Sequence, residues 1–171
     1  NLKNDIRVLK KLKISYLYLP TYKDIYGFKT KNKIYLDKFS KKLCGKFRKG
    51  HFEGVLNVVN RFLEILQPKY IYLGLKDFQQ LILIKNHIIQ KGIKTKVVQC
   101  KTIREKNGIA SSTRNFNLNY QELKIASNVY KYLIYLKKKI KINYKSFKKN
   151  IIMNDLLSLG VSKIDYIENI N

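Results

Sequence analysis

The sequence is poor in cysteine and has no long apolar run. Its two cysteines, Cys44 and Cys100, show no spacing typical of a metal or redox site, which favours a reducing setting. No charged segment followed by an apolar stretch opens the chain, and no apolar run is long enough to span a bilayer. These absences argue against a secreted or membrane protein, and we expect a cytoplasmic protein with no membrane partner.

Acidic residues and arginine are also scarce. The chain has 36 basic and 11 acidic residues, and five of the basic residues are arginines: Arg7, Arg48, Arg61, Arg104 and Arg114. The net charge of +25 favours nucleic-acid binding, because clustered cations release phosphate counterions. Arginine, however, is the preferred side chain for reading bases and phosphates. The lysines come with abundant Asn, Ile and Tyr, all encoded by AT-rich codons, so we favour genomic composition over a nucleic-acid partner.

The length of 171 residues allows one good core, or one domain and part of another. Because the first residue is Asn1 rather than Met, we expect a processed chain or a fragment. No internal repeat is visible, and the lysine-rich stretch 137–149 is expected to be a solvated helix end and turn.

Alternating patterns in the first hundred residues predict an α/β fold with a parallel sheet. Helical spacing is expected over residues 2–13, 54–67 and 77–92. Strand patterns are expected over residues 14–20, 33–37, 70–74 and 95–100. Helix and strand in short succession indicate parallel strands joined by right-handed crossovers.

The pattern changes after Cys100. A polar loop over 101–118 contains an Asn107-Gly108 turn, and Asn119 with Glu122 is typical of a capped helix start. That helix is expected to run to about Lys139.

A second helix over 146–158 and a strand over 163–169 are expected to follow. We therefore predict two partial domains, residues 1–102 and residues 103–171.

The segment Gly74–Gln80 combines polar groups at the point where a predicted strand meets a helix. In an open parallel sheet, ligands sit at the carboxyl ends of strands, near free helix N–H groups. Gly74 would let a ligand approach the backbone, Lys76 would supply charge for phosphate oxygens, and Asp77 could accept ribose hydroxyls or help to hold Mg²⁺.

Helix capping is the alternative interpretation of this segment. Asp77 is a good N-cap residue, and Gln80 three residues later would complete a capping box. Capping leaves Lys76 unexplained, because a cation near a helix N-terminus opposes the macrodipole.

Residues 102–115 form a second candidate, with the sequence TIREKNGIASSTRN. Hydroxyl side chains and an arginine in a loop can wrap a polyphosphate. The alternative is a polar interdomain loop whose Ser and Thr side chains bind local backbone.

The segment CGKFRKGHFEG, residues 44–54, has the glycine spacing of a phosphate-binding loop but lacks its Lys and Ser/Thr, and we reject that motif. Arg48 and His51 either line a cleft or face solvent. His87, among Ile and Leu in a predicted helix, is expected to pack in the core.

Three ordered segments resemble the pantothenate synthetase (pantoate–β-alanine ligase) family. FRKGHFEGV is similar to the family's F-R-P-G-H-F-x-G-V, and GLKDFQQL to its G-E-K-D-x-Q-Q-L. TIREKNGIASSTRN is similar to T-V-R-E-x-D-G-L-A-x-S-S-R-N. The resemblance extends over almost the whole chain.

The resemblance implies a Rossmann-like nucleotidyltransferase domain followed by a small α+β lid domain, usually in a homodimer. It implies that ATP and (R)-pantoate form pantoyl-adenylate with Mg²⁺, and that β-alanine then displaces AMP to give pantothenate, a coenzyme A precursor. Carried over by position, the ATP-binding residues would be Gly74, Leu75, Lys76, Asp77, Ile103, Ser111, Ser112, Thr113 and Arg114. Gln80 would bind pantoate, and Asp77 could contact Mg²⁺.

The sequence departs from the family pattern in four respects. Leu75 replaces a Glu, Thr113 a Ser, and Lys49 a Pro. The family's N-terminal M-G-x-L-H-x-G-H motif, which supplies its catalytic histidines, is absent from these 171 residues. We therefore expect an inactive fragment of a ligase, with a related adenylate-forming enzyme for another acid, or a basic nucleic-acid-binding module, as the alternatives.

Overall fold

The computed structural model describes residues 2–170. Its helices are α1 (Leu2–Lys11), α2 (Tyr22–Tyr26), α3 (Cys44–Phe47), α4 (His51–Leu66), α5 (Phe78–Gln90), α6 (Tyr120–Ile142) and α7 (Lys149–Ser158). Its strands are β1 (Tyr70–Gly74) and β2 (Lys96–Cys100). None of the helices in this part of the chain is both long and apolar enough to cross a membrane.

The centre of the fold is a β1–α5–β2 unit, which confirms the predicted α/β class. The two strands pair in parallel, with Tyr70 opposite Lys96 and Gly74 opposite Cys100. Helix α4 packs against α5 through a cluster of fully buried side chains, whose members are Leu56, Leu63, Ile84 and Ile88. The strand β1 is buried only in part, since Tyr72 is 67% exposed.

Three predicted strands are not strands in the structure. Residues 14–20 have no regular secondary structure and join no sheet, and their large side chains are exposed: Tyr16 is 92% accessible. Residues 33–37 also run outside the sheet, because the N–H of Tyr35 donates to Nδ1 of His87 at 3.0 Å instead of to a neighbouring strand. Apolar alternation alone predicted these strands, and alternation does not supply a hydrogen-bonding partner.

Residues 163–169, the third segment wrongly predicted as a strand, pack on a second apolar cluster. Leu136, Ile152 and Leu156 of α6 and α7 are its buried members, and Ile164 and Ile167 lie against them. The predicted start of α6 is confirmed, since Asn119 and Glu122 form a complete capping box. The division into two domains at residue 102 stays a prediction.

Candidate active site

The register of the sheet brings two predicted site segments to one edge. Gly74 ends β1 and pairs with Cys100, which ends β2. A short 3-10 turn, Leu75–Asp77, then leads into α5, while the chain after β2 continues to Ile103. Both segments therefore begin at the carboxyl edge of the parallel sheet, where nucleotide sites of this architecture lie.

Lys76 and Asp77 form an ion pair at this edge. The Nζ atom of Lys76 lies 3.1 Å from Oδ1 of Asp77, and both side chains are largely exposed. The Asp77 side chain makes no capping hydrogen bond to α5, so the capping alternative is wrong. Lys76 thus has an anionic partner within its own chain, and the conflict with the helix dipole needs no bound anion to offset it.

A cavity of about 290 Å³ lies beside the start of α5. Three predicted site residues, Lys76, Asp77 and Gln80, contribute to its lining, together with Arg48 and His51. Asp77 is the one carboxylate among those lining residues. The excess of cationic groups suits a carboxylate or phosphate ligand.

Arg48 and His51 both line the cavity, and Arg48 is at the same time exposed to solvent. His51 is the first residue of α4 and is half-buried. Burial, and then the neighbouring Arg48 cation, lower the pKa of His51 below its usual value of 6.5. The imidazole is therefore mainly neutral near pH 7, and it can donate one hydrogen bond and accept another.

Two further lining residues, Cys44 and Tyr166, were not predicted from the sequence, and Gln79 lines the cavity beside Gln80. The Sγ atom of Cys44 lies 2.7 Å from the hydroxyl of Tyr166, and the Tyr166 ring stacks on Phe47 with centroids 6.1 Å apart. Burial, followed by the hydrogen bond with Cys44, raises the pKa of Tyr166 to about 12. Cys44 and Tyr166 are 122 positions apart, so no local pattern could have paired them.

The predicted phosphate loop is folded on itself. Arg104 and Ala110 form an isolated antiparallel bridge, and the hydroxyl of Ser111 donates to Glu105 at 2.6 Å. Ser112 accepts from the N–H of Arg114 at 3.2 Å, which starts a 3-10 turn at Thr113. These local contacts are of the kind expected if the segment is a polar interdomain loop, which was the alternative to a phosphate-binding loop.

Residues Ser111–Arg114 do not line the 290 Å³ cavity, and Ile103 near it in sequence is 74% exposed. The structure therefore brings Lys76, Asp77 and Gln80 together, but does not place the loop in the same cavity. Convergence of the two segments on one triphosphate stays a prediction.

His87 lies away from the cavity and has a structural environment. It is fully buried, with Nδ1 accepting from the N–H of Tyr35 and Nε2 3.0 Å from Oδ1 of Asn60. An acceptor at Nδ1 requires the proton on Nε2, so the ring is neutral. Burial and the cation of Lys91 lower the pKa of His87, against a smaller opposing effect of Glu64.

A metal ion would find few protein ligands here. Over residues 2–170, no group of three or more His, Cys, Asp or Glu side chains could hold one. Mg²⁺ in nucleotide sites is commonly held by one or two carboxylates together with substrate phosphates. The single carboxylate of Asp77 is compatible with that mode. It is not compatible with a site in which the protein supplies most of the metal ligands.

Comparison with known proteins gives consistent matches. The family model described as Pantoate-beta-alanine ligase matches residues 1–171. The chain is 41% identical over 133 residues to a pantothenate synthetase of Francisella philomiragia, covering 77% of this chain and 51% of that protein. It is 33% identical to the enzyme of Caldicellulosiruptor bescii, covering 98% of this chain and 60% of that protein.

Solved structures agree with these relatives. The crystal structure of pantoate-beta-alanine ligase from Francisella tularensis, complexed with beta-gamma ATP and beta-alanine, superposes with a TM-score of 0.80 at 34% identity. It covers 100% of this chain and 62% of the other. Pantothenate synthetase from Thermus thermophilus gives a TM-score of 0.76 at 25% identity, with 93% and 57% covered. The chain thus spans about half to three fifths of the length of the relatives it matches.

Proposed function

Since the chain belongs to the pantoate–beta-alanine ligase family, we propose that its parent protein condenses (R)-pantoate with β-alanine at the expense of ATP. A carboxylate oxygen of pantoate attacks the α-phosphorus of ATP, and pyrophosphate leaves. The amine of β-alanine then attacks the acyl carbon of pantoyl-adenylate, and AMP leaves as pantothenate forms.

One observation carries this proposal: Lys76, Asp77 and Gln80 line one cation-rich cavity beside the strand edge of a β–α–β unit. In this arrangement Lys76 would neutralise charge on the phosphates. Gln80 would hydrogen-bond the pantoate, since its amide can both donate and accept. Arg48 adds a second cation to the same cavity, where a carboxylate or a leaving phosphate could bind.

We propose that the loop residues Ser111–Arg114 bind the triphosphate after they exchange partners. The hydroxyl of Ser111 now donates to Glu105, and Ser112 caps its own turn. A phosphate oxygen could replace the Glu105 carboxylate as acceptor, because both are anionic oxygens that accept the same hydroxyl. Arg114, exposed on this turn, would add charge.

A bound Mg²⁺ would neutralise charge on the triphosphate, and we propose Asp77 as its protein contact. Asp77 now faces Lys76 at 3.1 Å. Lys76 would turn to the phosphates when ATP enters, so both members of the pair would gain new partners of opposite charge. We further propose a homodimer as the assembled form, on the family resemblance alone.

A chimera tests the proposed reaction. The segment of the Caldicellulosiruptor bescii pantothenate synthetase that precedes its match to this chain, which covers 98% of the chain, would be joined to residues 1–171, and pantothenate formation would be assayed. We expect pantothenate only from the chimera, because the H-x-G-H motif is not within these 171 residues. Pantothenate formation by the unextended chain would contradict the expected inactivity, and a soluble, ATP-binding chimera without product would contradict the proposed function.

The identity of the acid needs a separate test. Pyrophosphate exchange by the chimera would be measured with pantoate and with other small hydroxy acids. Exchange that depends on pantoate supports the proposed substrate. Faster exchange with another acid would favour a related adenylate-forming enzyme.

A further inference from the structure

The side chain of Gln79 is almost fully buried at the start of α5, with 6% of its surface exposed. Its Nε2 donates to two backbone carbonyls, that of Phe39 at 2.8 Å and that of Lys42 at 2.7 Å. The reversed amide would place its oxygen against two carbonyl oxygens, so these contacts fix its orientation. One amide group therefore connects both sides of the turn 39–42 to α5.

This turn leads into a strained residue. Leu43 has φ 46° and ψ −125°, a conformation that residues with a Cβ atom rarely adopt. The turn is also tightly closed, because a Cβ atom at Gly45 would lie 1.7 Å from the carbonyl oxygen of Ser40. Such a backbone persists only when surrounding contacts hold it in place.

The strained turn forms one wall of the 290 Å³ cavity. Leu43 and Cys44 line it opposite residues of α5, and Cys44 extends the wall to Tyr166 through their 2.7 Å contact. The same cavity contains Gln80 but not the loop Ser111–Arg114. A displaced wall should therefore affect a ligand beside Gln80 more than one held by that loop.

The environment of the Gln79 side-chain oxygen, Oε1, is consistent with a clamping role for this residue. Its Oε1 is buried and has no hydrogen-bond partner within residues 2–170. A buried acceptor without a partner is unfavourable. The favourable contacts of this amide are therefore the two that its N–H groups make.

We propose that Gln79 is a positioning residue. By holding the turn 39–42, it keeps the strained Leu43 in place, and Leu43 and Cys44 form the wall of the cavity beside Gln80, where the acid substrate would bind. The family resemblance associates the paired glutamines Gln79 and Gln80 with pantoate, and it gives pantoate contact to Gln80 alone. That the acid is pantoate rests on the proposed function. The clamp, meaning the two hydrogen bonds from Gln79 to the turn 39–42, does not depend on it.

Hydrogen exchange tests the clamp without any ligand. Gln79→Met removes both donors at similar length, and Gln90→Met, at the exposed end of the same helix, is the matched control. We expect the amides of Lys42 and Gly45 to exchange about tenfold faster in Gln79→Met, since two hydrogen bonds to that turn are lost. Unchanged exchange there, or equal changes in both variants, would overturn the proposal.

A second substitution separates clamping from general destabilisation. Leu43→Gly removes the strain that the clamp resists. In the double variant Gln79→Met/Leu43→Gly, the amide exchange rates of the turn should therefore return to within about threefold of those in the unsubstituted chain. If Gln79→Met does not fold, recovery of folding by Leu43→Gly supports the clamp. An unfolded or unprotected double variant would contradict it.

Ligand titrations by NMR test the positioning role. In Gln79→Met we expect pantoate to bind about tenfold more weakly and ATP to lose less affinity than pantoate, because ATP is also proposed to contact the loop Ser111–Arg114 outside the cavity. We expect Leu43→Gly to restore pantoate binding. Equal loss of both ligands, or no loss of pantoate, would overturn the positioning role. These titrations use the chimera described above. If the chimera binds neither ligand, the proposed function fails, while the exchange experiment still decides the clamp.

Discussion

Lys76 is the residue with the most direct predicted contact with the nucleotide. It lies on the cavity and is now paired with Asp77. Replacing it with alanine removes a charge-assisted contact to phosphate, which corresponds to about a tenfold loss of affinity at a partly exposed site. We expect Lys76→Ala to bind ATP about tenfold more weakly in a calorimetric titration of the chain.

The matched control is Lys85→Ala, an exposed lysine on helix α5, which follows the turn that contains Lys76. It lowers the net charge equally, so it should leave ATP affinity within twofold. Equal losses in the two variants would show that overall charge, and not a specific contact, attracts the nucleotide.

His87 makes folding stability depend on pH. Burial lowers the pKa of His87 below 6.5 in the folded chain. At a pH between this lowered pKa and 6.5, His87 therefore binds a proton in the unfolded chain but not in the folded chain. Stability is therefore complete above about pH 6.5 and falls as the pH drops below it, by up to about 1.4 kcal/mol per pH unit for this one group.

Urea unfolding at pH 7.5 and pH 5.5 checks this prediction. The loss of stability on acidification should be smaller in His87→Gln than in the parent, since glutamine can replace both ring contacts without titrating. His51, whose pKa is also lowered, is the control: His51→Gln should retain most of the loss. The same acid sensitivity in parent and His87→Gln would contradict the assignment.

At the scale of elements, the start of α6 is defined by side chains close in sequence. Asn119 accepts from the N–H of Glu122 at 3.0 Å, and the Glu122 carboxylate accepts from the N–H of Asn119 at 2.8 Å. We expect Asn119→Ala to lower the free energy of unfolding by about 1 kcal/mol, because the N–H of Glu122 loses its side-chain acceptor. Asn119→Asp keeps the acceptor and should stay within about 0.3 kcal/mol of the parent in the same denaturation assay; equal effects would argue against capping.

Comparison of the helices and strands shows which signals in the sequence were sufficient. The helical spacing of α4 and α5 and the capping box of α6 were predicted because each depends on contacts between residues one turn apart. The strands expected over 14–20, 33–37 and 163–169 failed, since a strand exists only with a partner. Alternation predicts which face is apolar, but not which segment lies alongside.

At the scale of the whole molecule, the charge of +25 predicts weak and general attraction to polyanions. We expect duplex DNA to bind with a dissociation constant no tighter than about 10⁻⁶ M at physiological salt, as for non-specific complexes. Fluorescence anisotropy at 50 and 200 mM salt measures this, and the variant with Lys137, Lys138 and Lys139 changed to Gln is the comparison.

We expect that triple change to weaken DNA binding only slightly, since no single patch is proposed to bind it. Tight binding that survives at 200 mM salt, or a large loss in the triple variant, would favour the nucleic-acid-binding alternative.

The cavity shows why the site was only partly predictable. Lys76, Asp77 and Gln80 are neighbours in sequence, so one motif could identify all three. Arg48 and His51 join them through packing of α4 on α5, and Tyr166 joins from the far end of the chain. These contacts depend on tertiary packing, which no local spacing encodes.

The sequence by itself determined the parallel β–α–β unit, the main helices, the family and the segment Gly74–Gln80, because periodicity, caps and motifs act over a few residues. Only the tertiary structure decided that Asp77 pairs with Lys76 instead of capping α5, that three apolar segments lack strand partners, and that Gln79 holds a strained turn against the cavity. Those outcomes depend on which distant groups meet, and the free energy of each contact is set by burial and partners that exist only in the folded chain.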